Sequence, residues 1–276
     1  MRELTGKVAV ITGGASGIGR GLAEAFAAEG MRIVLGDLDE RRLREVEVAL
    51  GEAGTEVLPV RCDVASEASV QALAESAMEH FGAAHVVCNN AGVVGRGDPW
   101  TGPTSAWEWI VGINLMGVVH GIRAFLPIMR DQGEGHIVNT ASMAGLLAMP
   151  GYAPYTATKH AVVGLSEALR GDLQALNEPI GVSVVCPGFI KTNLMEDRWD
   201  QSLGAPPPDS TNPVTAGMTA ALRDGIVVGM LPSEVAGLVV RAVREDRFWV
   251  MTHPDYESLA VDRVRGAFAE PGDDAR

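Results

Sequence analysis

The chain has 276 residues, 47% hydrophobic and 21% charged, with a formal net charge of −13. This composition fits a globular α/β unit that is large for one domain, and the acidic balance argues against nucleic acid or an anionic membrane as partner, since both need a basic face. No charged leader with an apolar core precedes the first apolar run, so no signal peptide is expected, and no apolar stretch is read as approaching the ~20 residues that span a bilayer.

Short β-branched runs recur at 7–12, 32–36, 56–62, 85–89, 136–140, 182–186 and 247–251. Helical patterns lie between them, at about 18–29, 40–53, 67–81, 104–130, 155–177 and 233–245. Strands that are apolar throughout and separated by helices describe a parallel sheet covered on both faces. The expectation is one doubly wound (Rossmann) α/β domain over residues 1–276, with a seven-stranded parallel sheet. No Gly/Pro/Ser-rich linker divides it. Residues 193–230, around "GAPPPDSTNP", break the rhythm and are read as a substrate lid; the acidic tail 270–276 is expected to be disordered. Cys62, Cys88 and Cys186 lie in or beside apolar runs, and an odd count without Cys-x-x-Cys fits buried thiols in a reducing cytoplasm. The six histidines show no ligand spacing, so no metal is expected.

The first run ends in "TGGASGIG", residues 12–19. Gly13, Gly17 and Gly19 let the chain turn tightly and approach a pyrophosphate, which would sit at the N-terminus of the helix beginning near Ile18. A lone Gly-rich turn often holds nothing, but this one stands between a strand and a helix. Asp37 closes the second run, where a carboxylate receives ribose hydroxyls; Asp39 is better placed to cap the next helix. Arg41 and Arg42 are expected on that helix's first turn, facing solvent. In "GYAPYTATKHAV", Pro154 suits a helix start, which puts Tyr155 and Lys159 on one face as an i, i+4 pair. Alone, that pair reads equally well as an incidental surface contact.

Thr12-Gly-x-x-x-Gly-x-Gly19, "NNAG" at 89–92, Asn114, Ser142, Tyr155-x-x-x-Lys159 and "PGFIKT" at 187–192 occur in order. In these motifs the chain, from about Leu4 to Arg244, resembles the short-chain dehydrogenase/reductase family. The resemblance implies an oxidoreductase acting on CH–OH groups, with Asn114, Ser142, Tyr155 and Lys159 as its catalytic residues. It also implies that Ser142 holds the substrate oxygen and that Asn114 keeps a water linking Lys159 to solvent. Cofactor contacts would come from Gly13, Ser16, Gly17, Ile18, Gly19 and Asp37. Asp63 and Val64 would lie on the adenine side, Asn90 and Gly92 at the ribose, and Pro187, Gly188, Ile190 and Thr192 at the nicotinamide, with Tyr155 and Lys159. Relatives that prefer NADP often carry a basic residue where this chain has Ser16, so NAD is expected.

The chemistry follows from the residues. A hydride leaving a carbinol carbon requires the hydroxyl proton to leave too, and a free phenol titrates near ~10. Lowering it by about 3 units takes roughly 4 kcal/mol, and one ammonium at about 4–5 Å supplies roughly 3–4 kcal/mol at an effective dielectric near 20. Lys159 is therefore expected to lower the pKa of Tyr155, helped by an oxidised nicotinamide. The substrate is expected to be a bulky hydrophobic alcohol or ketone, because Val93, Val94, Met149, Tyr152, Leu194, Met195, Trp199, Leu203, Met218 and Leu222 gather near the crevice or in the insert. An NADPH-dependent reductase of keto-acyl groups and a non-catalytic dinucleotide-binding protein are the alternatives. Small or apolar residues on several faces of 104–130 and 155–177, with "RFWVMTHP" as a second contact, point to a tetramer or dimer as in relatives.

Overall fold

The seven runs form seven strands: β1 (Val8–Thr12), β2 (Arg32–Asp37), β3 (Val57–Arg61), β4 (Val86–Asn89), β5 (Gly135–Thr140), β6 (Ile180–Cys186) and β7 (Trp249–Met251). The computed structural model describes residues 1–95, 98–195 and 212–268. All neighbouring strands run parallel, in the order β3-β2-β1-β4-β5-β6-β7. Successive side chains serve opposite faces: Val8 and Val10 enter one layer, Ala9 and Ile11 the other. The first layer is closed by α3 (Glu67–Phe81), α5 (Gly117–Gln132) and α6 (Ala153–Ala175), the second by α1 (Gly17–Ala28), α2 (Glu40–Glu52) and α8 (Pro232–Glu245). This is the expected doubly wound α/β fold.

Strand β1 pairs with both β2 and β4, so the order reverses there and opens a crevice at the carboxyl ends of these strands. Local chemistry starts the helices where the sequence indicated. Asp39 accepts from Arg42 N at 3.0 Å to cap α2, Ser66 caps α3, and Pro154 stands in the first turn of α6. All three cysteines are free and buried.

Two expectations about 104–130 are corrected. The helix is not uniform: α4 (Thr104–Val111) passes into a π turn, Gly112–Met116, before α5 begins. The stretch Thr104–Gln132 is also long and apolar enough to cross a membrane by length and composition, contrary to the sequence reading. Its apolarity has a packing role, since Ile110, Val118, Phe125 and Met129 are buried in the protein. The insert is not wholly irregular either, because it contains α7 (Pro213–Val228), capped by Asn212, which accepts from Val214 N at 2.9 Å. A further helix, α9 (Glu257–Gly266), was not anticipated. Trp199, Leu203 and the tail 270–276 lie outside the described residues.

Candidate active site

The Gly-rich turn is shaped by close approach. Gly13 has φ +66°, and a Cβ there would stand 2.9 Å from Ala91 Cα; on Gly19 it would stand 2.0 Å from the Gly13 carbonyl oxygen. Neither position accepts a side chain. Ser16, the residue before α1, makes no side-chain cap, which leaves the first-turn amides around Gly17, Ile18 and Gly19 without a side-chain acceptor. Such a turn fits a pyrophosphate. The methyl group of Thr192 meets the same turn, 3.2 Å from where a Gly17 Cβ would be. Asp37 braces the turn: Oδ2 accepts from Ala15 N and Oδ1 from Asp39 N, both at 3.1 Å. Burial raises the Asp37 carboxyl above its ordinary value, more than these amides lower it. The first-turn amides, the close-approach glycines and the carboxylate together fit a dinucleotide. Arg41 pairs with Glu45 in the exposed first turn of α2, whereas Arg42 is half-buried and lies 3.4 Å from Asp39.

A knot of hydrogen bonds joins the strand ends. Thr12 Oγ1 accepts from Asn90 N at 3.0 Å and Ala91 N at 3.2 Å, while Asn90 Nδ2 donates to Thr12 O at 3.1 Å. Thr140 Oγ1 donates to Asn90 Oδ1 at 3.3 Å, so the Asn90 amide is already engaged within the protein. Asp63 Oδ1 accepts from Ala65 N, and Val64 O lies 2.9 Å from His120 Nδ1. Pro187 O accepts from Met143 N at 2.8 Å. Gly188 N donates to Thr252 Oγ1 at 3.0 Å, and Ile190 bridges to Met230.

Tyr155 and Lys159 lie one turn apart on α6, both buried. Ser142, just past β5, faces Tyr155 and accepts from Ala144 N at 3.0 Å. Lys159 Nζ donates to Thr140 O at 2.8 Å and lies 5.7 Å from the Tyr155 ring centre. A Cβ on Gly92 would stand 3.3 Å from Asn114 Oδ1 and 3.5 Å from Lys159 Nζ, so that backbone lines both. Asn114, in the π turn, accepts from Val93 N at 2.8 Å and donates to Val93 O at 2.9 Å and Thr158 Oγ1 at 3.3 Å. Thr158 in turn donates to Tyr155 O at 2.8 Å. The four expected catalytic residues therefore meet at the carboxyl ends of β4 and β5.

Their electrostatics differ from expectation. Burial raises the Tyr155 phenol above its ordinary value, with the Ser142 hydroxyl pulling it down by less. Burial also pushes the Lys159 ammonium down to about 8. Desolvation of the ring site is the dominant influence on the phenol, contrary to the expectation that Lys159 lowers it.

Around Tyr155 lies an apolar cluster of Val94, Ile110, Ala144, Tyr152 and Met195, with Met149, Trp109, Leu194, Met218, Leu222 and Ile226 against it. Two supports were not read from the sequence. Asn89 Nδ2 donates to Asn139 Oδ1 at 2.9 Å, and Asn139 Nδ2 to Ser166 Oγ at 3.0 Å, which ties β4 and β5 to α6. The Asn114–Thr158 bond does the same for the π turn. Among the described residues no three His, Cys, Asp or Glu side chains come together as a metal set.

The profile of the short chain dehydrogenase family matches residues 7–203. The chain belongs to that family. A crystal structure of a short chain dehydrogenase/reductase from Burkholderia phymatum in complex with NAD is 41% identical, covers 99% of both chains and superposes with a TM-score of 0.91. The CLA biosynthesis dehydrogenase/reductase of Lactiplantibacillus plantarum is 39% identical over 96% of this chain and 94% of its own. The 1-deoxy-11-beta-hydroxypentalenate dehydrogenase of Streptomyces avermitilis is 35% identical over 95% and 90%. This short chain dehydrogenase thus matches relatives along nearly its whole length.

Proposed function

We propose that this oxidoreductase uses NAD to interconvert a hydrophobic secondary alcohol and its ketone, with Tyr155 as general acid and base. One observation carries the reading: the Tyr155 and Ser142 hydroxyls face each other beside an apolar cluster, at the same strand ends as the Gly-rich turn. When bound, oxidised NAD supplies the hydride acceptor and a positive charge. Ser142 holds the substrate oxygen, and Tyr155 takes its proton during oxidation and returns it during reduction. Burial favours the protonated phenol in the protein alone. The charge of Lys159 beneath the ring, together with the positive charge that bound NAD would bring, would offset part of that cost for the phenolate. Lys159 would also reach the nicotinamide ribose, and Asn114 keeps a water in line with Lys159. Asp37 receives the adenine-side ribose hydroxyls, which supports NAD over NADP. Asp63 and Val64 lie at the adenine. The Asn90 and Gly92 backbone lines the ribose, and Ile190 and Thr192 orient the nicotinamide amide. The apolar cluster around Tyr155 supports a bulky apolar substrate.

The segment 193–230 serves as the substrate lid. The chain works in the cytoplasm, a reading supported by three buried free thiols, and assembles as a tetramer or dimer. A panel of hydrophobic secondary alcohols, with NAD reduction followed spectroscopically, tests turnover, cofactor and substrate class together. Reduction of NAD by several members is expected. Activity confined to NADPH and keto-acyl substrates, or none with any pair, overturns the reading.

A further inference from the structure

Helix α7 carries two stripes. Met218, Leu222 and Ile226 pack onto the apolar cluster around Tyr155. Beside them run Asn212, Thr215 and Thr219, each hooked to a different segment. Asn212 Nδ2 donates to Asp98 Oδ2 at 3.0 Å. Buried Thr215 is pressed against Gly151, where φ is +81° and a Cβ would lie 2.8 Å from Thr215 Cα. Thr219 Oγ1 lies 2.6 Å from the Tyr152 hydroxyl. At its far end the helix meets Phe189, whose ring would be 2.5 Å from a Cβ on Gly225.

The direction of the Tyr152–Thr219 bond follows from its surroundings. The Thr219 hydroxyl donates to Thr215 O at 2.7 Å, which uses its one hydrogen, so Tyr152 is the donor. Tyr152 is only 2% exposed and stands at the start of α6, three residues before Tyr155. The bond therefore joins the helix that carries Tyr155 to the helix that walls the apolar cluster. Within α7 only Thr215 is fully buried, while Val214, Val227 and Val228 are exposed. Since Thr215 is the one fully buried side chain of α7 among the described residues, each polar hook should weigh in how often the helix opens.

We propose that Tyr152 is a positioning residue: by donating to Thr219 it holds α7 as the wall of the alcohol-binding chamber. The use of the chamber rests on the oxidoreductase reading above; the latch itself does not. Hydrogen exchange on the full chain tests it, with Tyr152→Phe, which keeps the buried ring, and Thr219→Val, which keeps the side-chain shape. Amides across 215–222 should exchange roughly three- to tenfold faster in both variants, as expected for one lost hydrogen bond. Thr219→Ser, which retains the acceptor, should exchange like wild type, and the double variant no faster than either single one. For an alcohol that wild type turns over, KM should rise in Tyr152→Phe and Thr219→Val while KM for NAD holds. Wild-type exchange in both variants, or acceleration spread over the whole chain, overturns the latch. Faster α7 exchange with unchanged alcohol KM overturns the positioning role. If wild type oxidises no alcohol, the oxidoreductase reading fails, and the exchange rates still decide the latch.

Discussion

Lys159 Nζ donates to the Thr140 carbonyl oxygen at 2.8 Å, which tethers the ammonium to the end of β5. The tether fixes where the charge sits, but burial makes the charge costly and lowers its pKa to about 8. The residue proposed to assist the phenol is thus itself a strained element of the fold.

Lys159→Met should therefore be more stable than wild type at neutral pH. A folded-state pKa of about 8 against an ordinary 10.5 means the protonated lysine opposes folding by roughly 3 kcal/mol. Loss of the Thr140 hydrogen bond takes back about 1 kcal/mol. Between these pKa values the unfolded chain binds the extra proton, so wild-type stability from this group rises with pH and the variant's advantage fades. Thermal unfolding at pH 7 and pH 10 reads this directly. A variant less stable than wild type at pH 7, or an advantage that ignores pH, refutes the argument. Turnover should be lost in either case.

Tyr155→Phe separates chemistry from packing. The ring stays buried and only the hydroxyl opposite Ser142 goes, so turnover should fall roughly 10²–10⁴-fold. NAD affinity, read by fluorescence titration, should change little. Retention of more than a few per cent of activity would remove Tyr155 from the acid/base role.

Ser166→Ala probes the support behind the site. Ser166 and Asn139 are fully buried, and the substitution leaves Asn139 Nδ2 without its partner at 3.0 Å. An orphaned buried amide costs about 1–3 kcal/mol, so the denaturant midpoint should drop by a corresponding amount. Unchanged stability would mean that α6 is held by packing alone.

Ser166 and the proposed catalytic residues contrast in how visible they are in the sequence. The strands were readable because each is a local apolar run bounded by helical spacing, and the observed bounds fall within a residue or two of the expected ones. Tyr155, Lys159, Asp37 and the glycines stood out because their spacing is itself the chemical requirement. Asn139–Ser166 and Asn114–Thr158 join ordinary polar residues 27 and 44 positions apart, and no local period marks them. The π turn at Asn114 leaves no pattern either, since one wider turn does not change the apolar rhythm. Helix α7 was different: Asn212 followed by Pro213 is a cap and first-turn signal, which the preceding Pro-rich run overshadowed. The raised phenol of Tyr155 was out of reach because burial is set by α4, α7 and the loop around Met149 together.

Assembly is tested by light scattering. The edge strand β7 leaves Trp249 at 37% exposure, and an exposed edge is a site for pairing or covering. A dimer or tetramer is expected at micromolar concentration; a monomer alone would exclude it.

The Asp37 carboxylate accepts from two backbone amides, Ala15 N and Asp39 N, beside the Gly-rich turn. NADP carries a phosphate on the ribose position this carboxylate would bind. Two like charges about 4 Å apart repel by up to roughly 4 kcal/mol per unit charge at an effective dielectric near 20, and less if water intervenes. Loss of the hydrogen bonds to the ribose hydroxyls adds about 1.5–3 kcal/mol. Wild type should therefore favour NAD at least about 100-fold in kcat/KM, equivalent to roughly 2.7 kcal/mol. Asp37→Ser should weaken NAD and improve NADP together, because one group attracts the first cofactor and repels the second. The substitution also removes the acceptor of Ala15 N, so NAD should lose more than the ribose bonds alone would explain. Measuring kcat/KM with both cofactors for wild type and variant decides it. If wild type uses NADP equally well, or the ratio survives the substitution, Asp37 serves only to brace the turn.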